Sequence, residues 1–205
     1  MTTNPADELV EIVDRENNSL GAVTRAIMRQ QNLTHRASYI LVFNRKGELF
    51  IQKRTMTKDI YPGYWDLAAG GVVLAGESYM DSALRELQEE LGVTGVRLRH
   101  LFDQYFEDDH NRVWGRIYTC TSEGPFTLQV EEVAYGRFIA LSDIHALHQV
   151  EPVSHPHQTA QGAGRAGDRA DQRRQRRQRR RGVFRDKGTG GRQKAADLGG
   201  DGRSS

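Results

Sequence analysis

Residues 70–93, GGVVLAGESYMDSALRELQEELGV, restrict the fold more than any other part of the chain. WDLAAGGVV reads as a short strand interrupted by the pair Gly70-Gly71, and a glycine pair lets backbone approach another group closely. Gly76-Glu77 then turns the chain, and the apolar spacing predicts a helix over 78–91. Ser78 and Asp81 have capping-box-like spacing at its start, and Gly92 is its stop signal.

That helix carries Glu86, Glu89 and Glu90 near its C-terminal end, where local physics disfavours them. Like charges four apart cost roughly 0.2–0.5 kcal/mol. The negative end of the helix macrodipole favours cations instead. A solvated acidic face is the ordinary explanation, but a broken local rule also marks functional sites. On a helical wheel the three acids span about 100° of arc. Met80, Leu84, Leu87 and Leu91 cluster on the other side, so one face is expected on a sheet and the other to present the carboxylates. Three carboxylates on one rigid element make a hard oxygen site suited to Mg²⁺ or Mn²⁺, and a carbonyl of the glycine pair can join the shell. Arg85 lies beside the acids and can fix their orientation.

Around this unit most elements read as strands. ELVEIVD alternates, Asn17-Asn18 mark a turn, and VTRAIMRQQ reads as a short helix. SYILVFN, ELFIQKR, VRLRHLFDQYFED, RVWGRIYTCTS and VAYGRFIAL read as strands, and LSDIHALHQV as a last helix with Ser142 as N-cap. Strands that mostly follow strands indicate an α+β fold with a mixed or antiparallel sheet.

Charge divides the chain. Up to Pro152 there are 15 Lys+Arg against 22 Asp+Glu, and beyond it 14 against 5, so −7 is followed by +9. The segment 153–205 has ten glycines, the block RRQRRQRRR and, outside alanine, only Val153, Val183, Phe184 and Leu198 as hydrophobic residues. It is expected to be disordered. A GC-rich gene read out of frame, or a tail without function, accounts for this composition better than a nucleic-acid arm, which requires the tail to be genuine. The expected organisation is an N-terminal extension over 1–34, a main domain over 35–152 and this basic tail over 153–205. The single cysteine, Cys120, permits no intrachain disulfide and reads as a partly buried strand thiol. No apolar run reaches membrane-spanning length and no signal pattern opens the chain, so a cytoplasmic protein is expected, with no membrane partner. The sequence does not settle the oligomeric state, and a homodimer is allowed.

Gly71, five residues, Glu77, seven residues, then RELQEELGV resembles the Nudix box, G-x5-E-x7-R-E-U-x-E-E-x-G-U with U aliphatic, at every fixed position. Leu87 and Val93 fill the aliphatic places. The resemblance implies the Nudix fold, a mixed sheet between helices. It also implies Mg²⁺-dependent hydrolysis of a nucleoside diphosphate linked to another moiety. Glu86, Glu89 and Glu90 are then metal ligands with the carbonyl of Gly71, and Glu77 and Arg85 hold the loop–helix–loop together. A metal-activated water attacks the diphosphate. The catalytic base comes from the box, at Glu89 or Glu90, or from outside it, where Glu131 and Glu132 are the candidates. Lys53 and Arg54 end a strand and are candidates to hold substrate phosphate.

EIVDRENNSLGAVTRA and the segment from THRASYILVFN to YWDLAAGG look like the branch of Nudix proteins nearest isopentenyl-diphosphate isomerase. His35, Lys53 and Arg54 occur at corresponding places. The isomerase needs a cysteine and a histidine where this chain has Gly70 and Val72, which favours a hydrolase. The alternatives are an isomerase-like enzyme and a non-catalytic nucleotide-binding module. Among Tyr39, Tyr61, Tyr64, Trp65, Tyr105, Phe106 and Trp114 the sequence does not separate a base-stacking ring from core rings.

Overall fold

The computed structural model of the protein describes residues 4–58 and 61–154. From residue 155 onward the expected basic tail lies outside the described residues. The N-terminal hairpin is β1 (Leu9–Val13) and β2 (Ser19–Thr24), followed by the short helix α1 (Arg25–Gln30). Then come β3 (His35–Phe43), β4 (Leu49–Arg54), β5 (Trp65–Asp66), β6 (Ala69–Val72) and the long helix α2 (Tyr79–Leu91). Strands β7 (Arg99–Glu107), β8 (Arg112–Thr121) and β9 (Val133–Ile139) and helix α3 (Ile144–Val150) complete the order.

The strand β3 is the axis of the sheet. One edge runs parallel to β8 over its whole length, from His35↔Val113 to Phe43↔Thr121. The other edge is shared end to end by β1 at His35, β6 at Ala37–Ile40 and β4 at Phe43, all antiparallel. A strand covered on both edges and both faces must be apolar on both faces, which is why SYILVF is a continuous hydrophobic run. Ile40 and Val42 pack under α2 with Ala83, Leu87 and Leu91. Leu41, between them, packs on the opposite face with Ile117, Ile144, Leu147 and Val153. The sheet is therefore mixed and lies between α2 and α3, as the α+β reading expected. A third cluster, Val10, Ile12, Met28 and Val72, ties the N-terminal hairpin and α1 to the end of β6.

Two local expectations are corrected here. Ser142 does not cap α3. It lies in a 3-10 turn over Leu141–Asp143, Asp143 takes the cap position, and the Ser142 hydroxyl donates to the Asp143 carboxylate. The folded body also runs past Pro152. Val153 is buried and bridges Trp65 in parallel, and the Ser154 N–H donates to the Trp65 carbonyl at 2.9 Å. One apolar residue and one serine at the head of a polar segment give no periodic signal, so the packing of Val153 and Ser154 is not legible in the sequence.

Candidate active site around the glycine pair

The helix α2 starts as its sequence demands. The Ser78 hydroxyl accepts from the Asp81 N–H at 3.1 Å, and Gly92 closes the helix in the left-handed region at φ 66°. Its orientation differs from expectation. Met80 and Leu84 are exposed, whereas Glu86 and Glu90 are buried on the same side as Ala83, Leu87 and Leu91. Only Glu89 stands out, with its side chain 51% exposed. The acidic face is thus not opposite the packed face but partly included in it. The wheel could not reveal this, because it scores carboxylates as outward-facing.

Glycine makes this burial sterically feasible. A Cβ on Gly71 would come within 2.3 Å of the Glu86 carboxylate, so the space of the missing side chain is the seat of Glu86. Gly70, at φ 149°, donates its N–H to Glu90 Oε2 at 3.1 Å. The same oxygen accepts from the Gln52 amide at 2.8 Å. Burial, then the neighbouring charge of Glu86, pushes the Glu90 carboxyl up to about 8, against a weaker opposing bond from Gln52. Glu86 is also raised, by burial first, with Arg85 opposing and Glu89 and Glu132 adding to the rise.

Arg85 organises the remaining acids. Its Nε and Nη2 grip Glu77 at 2.9 and 3.1 Å, and its Nη1 donates to Glu86 at 2.7 Å and to Glu89 at 3.1 Å. Nη2 also reaches the Val72 carbonyl at 3.3 Å, while Glu77 accepts the Leu74 N–H at 3.0 Å. Glu77 and Arg85 therefore lock strand end, turn and helix together.

A cavity lies on the face of β3 opposite α2. His35, Ala37 and Tyr39 line it from β3, and Gly70 and Gly71 line it at its junction with the box helix. Arg54 and Lys58 reach it from the end of β4 and the loop beyond. Arg54 is bonded to Asp66 at 2.6 Å, and Asp66 also accepts from the Ser154 hydroxyl. Lys58 is bonded to Glu132 at 2.6 Å. Glu132 is tied to the cavity through Lys58, and its charge adds, as the smallest contribution, to the rise of both Glu86 and Glu90. Glu131 is exposed and contributes only its carbonyl, which accepts from Thr55.

Lys53 is placed elsewhere. Adjacent residues of a strand face opposite ways, and Lys53 pairs with Glu151 and lies 5.3 Å from the Trp65 ring centre, away from the cavity lining. His35 is buried with Nδ1 against the Leu33 carbonyl, and burial pulls it down to about 4, so it is neutral at pH 7. Tyr39 and Tyr61 are the tyrosines of the cavity, whereas Tyr79 and Trp114 belong to packing elsewhere. Cys120 is a free, buried thiol of β8, pushed up to about 11 by burial. Sequence missed Gln52, Asp66 and Ser154. Gln52 and Asp66 left one faint signal, a polar residue inside an apolar strand.

The donor set fits a hard divalent cation. Two buried carboxylates stand close enough for Glu86 to raise the pKa of Glu90, and the buried Gln52 Oε1 beside them has no hydrogen-bond partner. Glu86 and Glu89 share the same nitrogen of Arg85. Among the described residues no three acidic, histidine or cysteine side chains are gathered as a coordination cluster. None of the described helices is long and apolar enough to cross a membrane.

Residues 33–160 match the family model described as NUDIX domain. An uncharacterized Nudix hydrolase of Pseudomonas aeruginosa is 48% identical over 132 residues, covering 64% of this chain and 78% of that protein. A crystal structure from Deinococcus radiodurans superposes with a TM-score of 0.66 at 20% identity, over 75% of this chain and 98% of its own. The NUDIX domain of NrtR from Shewanella oneidensis, solved with ADP-ribose, superposes with a TM-score of 0.52 at 18% identity, over 70% and 98% respectively. Box, fold and family match converge: the chain belongs to the Nudix family and is an enzyme that hydrolyses diphosphate bonds of nucleoside diphosphate derivatives.

Proposed function

We propose that this chain hydrolyses a nucleoside diphosphate linked to another moiety with Mg²⁺ as cofactor, Mn²⁺ being able to replace it, in the cytoplasm. The observation that carries the reading is the burial of Glu86 and Glu90 against Gly70-Gly71 at the cavity wall. Buried like charges are costly without a cation to balance them. Glu86, Glu89, Glu90 and the Gly71 carbonyl would hold the metal, which supplies charge neutralisation of the diphosphate and a nucleophilic water. Arg54 and Lys58, on the cavity wall, orient the phosphates. Glu132 accepts the proton of the attacking water, with Lys58 holding its carboxylate in place. Gln52 fixes the rotamer of Glu90, and Arg85 that of Glu86.

The affinity to isopentenyl-diphosphate isomerase rests on the N-terminal resemblance alone. Gly70 argues against isomerase chemistry, because a Cβ there would sit 2.0 Å from the Ser38 carbonyl oxygen, leaving no room for a cysteine. The deciding experiment is a screen of NADH, ADP-ribose, nucleotide sugars, CoA, diadenosine polyphosphates and isopentenyl diphosphate in ¹⁸O water, with and without Mg²⁺. The expected result is Mg²⁺-dependent cleavage with label on a phosphate product. Dimethylallyl diphosphate formed without phosphate release would establish the isomerase. Binding without turnover of any substrate would establish a nucleotide-binding module.

A further inference from the structure

Gln52 lies on β4, paired with Asp66 of β5 on one side and Gly136 of β9 on the other. It is a polar residue in the run LFIQKR, yet only 4% exposed. One half of its amide is accounted for. Nε2 donates at 2.8 Å to Glu90 Oε2, the oxygen that also accepts the Gly70 N–H at 3.1 Å. The other half is not. Among the described residues, Gln52 Oε1 is the one buried side-chain oxygen or nitrogen without a hydrogen-bond partner. A carbonyl oxygen sealed from both water and donors carries a desolvation cost that a hydrogen bond normally offsets.

The surroundings explain why no protein group offsets it. The charges that act on Glu90 are those of Glu86, Asp66 and Glu132, and an ionised carboxylate offers no donor. Asp66, the neighbour of Gln52 across the β4–β5 pair, is itself taken by Arg54 and the Ser154 hydroxyl. A carboxylate that binds a cation is ionised, and an ionised Glu90 only accepts. It therefore holds the amide with Nε2 toward it and Oε1 away. The two amide atoms share one carbon, so Oε1 lies within about 5 Å of the Glu90 oxygen, a separation that one water bridges. Mg²⁺ keeps several of its waters. A site of carboxylates thus needs neutral acceptors for those waters as well as anionic ligands for the ion.

We propose that Gln52 is a positioning residue with two duties in the metal site: Nε2 orients Glu90, and Oε1 accepts a hydrogen bond from a water that the cation holds. The proposal rests on the metal-dependent hydrolase reading and adds to it a residue of β4, outside the box. A buried water of purely structural use would also satisfy Oε1, and the two cases differ in metal affinity.

Calorimetric titration of the full chain with Mn²⁺, repeated with Mg²⁺, separates them without any turnover. Gln52→Met fills much the same space and removes both polar atoms. Gln52→Glu keeps acceptor oxygens and removes the donor. Gln52→Met is expected to raise the Kd for Mn²⁺ at least about 10-fold, the scale for losing an outer partner of a metal site. Gln52→Glu should keep the wild-type Kd or lower it. Without metal, Gln52→Glu should melt below the wild type, because it adds a buried acid, and saturating metal should restore the difference. Retained melting of metal-free Gln52→Met shows that it is folded; if it does not fold, the Kd of Gln52→Glu decides alone, and weakened binding there overturns the proposal. Unchanged affinity in Gln52→Met would assign Oε1 to a structural water. Equal weakening in both variants would leave Gln52 nothing but its bond to Glu90. Either result overturns the proposal. A wild type that binds neither ion overturns it together with the metal reading beneath it, which neither of the other two results would do.

Discussion

Arg85 and Glu77, eight residues apart in sequence, meet in a two-point ion pair, Nε to Oε1 at 2.9 Å and Nη2 to Oε2 at 3.1 Å. The remaining nitrogen of the same guanidinium holds Glu86 at 2.7 Å and Glu89 at 3.1 Å. One side chain thus binds the turn that enters the helix to the acids near its end. Burial by itself would lower the Arg85 pKa, and the bonds to Glu77 and Glu86 more than reverse this, so the group is always charged.

Arg85→Met should destabilise the fold by roughly 2–4 kcal/mol, because it leaves Glu77 and Glu86 largely buried without their cation. Arg85→Lys keeps the charge but loses the fork, and should cost about 1–2 kcal/mol. Urea unfolding of the three proteins measures both differences. Equal stability of all three would show that Arg85 is merely a surface charge.

The two glycines should fail differently. At Gly70 a side chain meets backbone, the Ser38 carbonyl at 2.0 Å, so Gly70→Ala should disrupt the β3–β6 pairing and lower the yield of folded protein. At Gly71 it meets the Glu86 carboxylate at 2.3 Å, the end of a side chain that can rotate away. Gly71→Ala should therefore stay folded and lose activity by about 100-fold, the scale of a misplaced catalytic group. Thermal melts and turnover measured on the same samples separate the two cases.

Glu90 gives a pH signature. Its folded pKa is about 8, above the unfolded value near 4.5, so between these pH values the folded state holds more protons. Stability of the metal-free protein should then fall as pH rises toward and past 8. His35, lowered to about 4, acts oppositely, but only below its unfolded pKa near 6.5. Between pH 7 and 9 the Glu90 slope should dominate, and Glu90→Gln should flatten it. Mg²⁺ needs the ionised carboxylate, so its stabilising shift in Tm should be larger at pH 8.5 than at pH 6.5.

The C-terminal boundary is also testable. A chain ending at Pro152 loses buried Val153, the Ser154 N–H bond to Trp65 and the Ser154 bond to Asp66. It should be destabilised by roughly 2–3 kcal/mol relative to a chain ending at residue 160, the sum expected for one buried valine and its hydrogen bonds. Equal stability of the two would return the boundary to Pro152.

The box was legible in the sequence because each of its residues serves one local purpose. A glycine admits a carboxylate, an arginine spans three acids, and a second glycine stops the helix. The strand β3 and the layers were legible because apolar runs and spacing report burial directly. The burial of Glu86 and Glu90 was hidden, since their seat is created by a missing side chain on another strand. Met80 and Leu84 misled for the same reason, as apolar residues of α2 that lie outside its packed face. Lys53 and Arg54 looked equivalent as a basic pair at a strand end, and only the pleat separates them.

The proposed catalytic metal depends most directly on Glu90, buried against the glycine pair and held by Gln52 and the Gly70 N–H. Glu90→Gln preserves size and helix propensity and removes one charge. Its turnover of the best diphosphate substrate, measured at saturating Mg²⁺ beside the wild type, should be at least ~100-fold lower, the lower end of what losing such a group costs. Its thermal melting without metal should be about equal below pH 8 and higher above it, where wild-type Glu90 carries a buried charge. Near-wild-type turnover at saturating Mg²⁺ would contradict the assignment of Glu90 as a metal ligand.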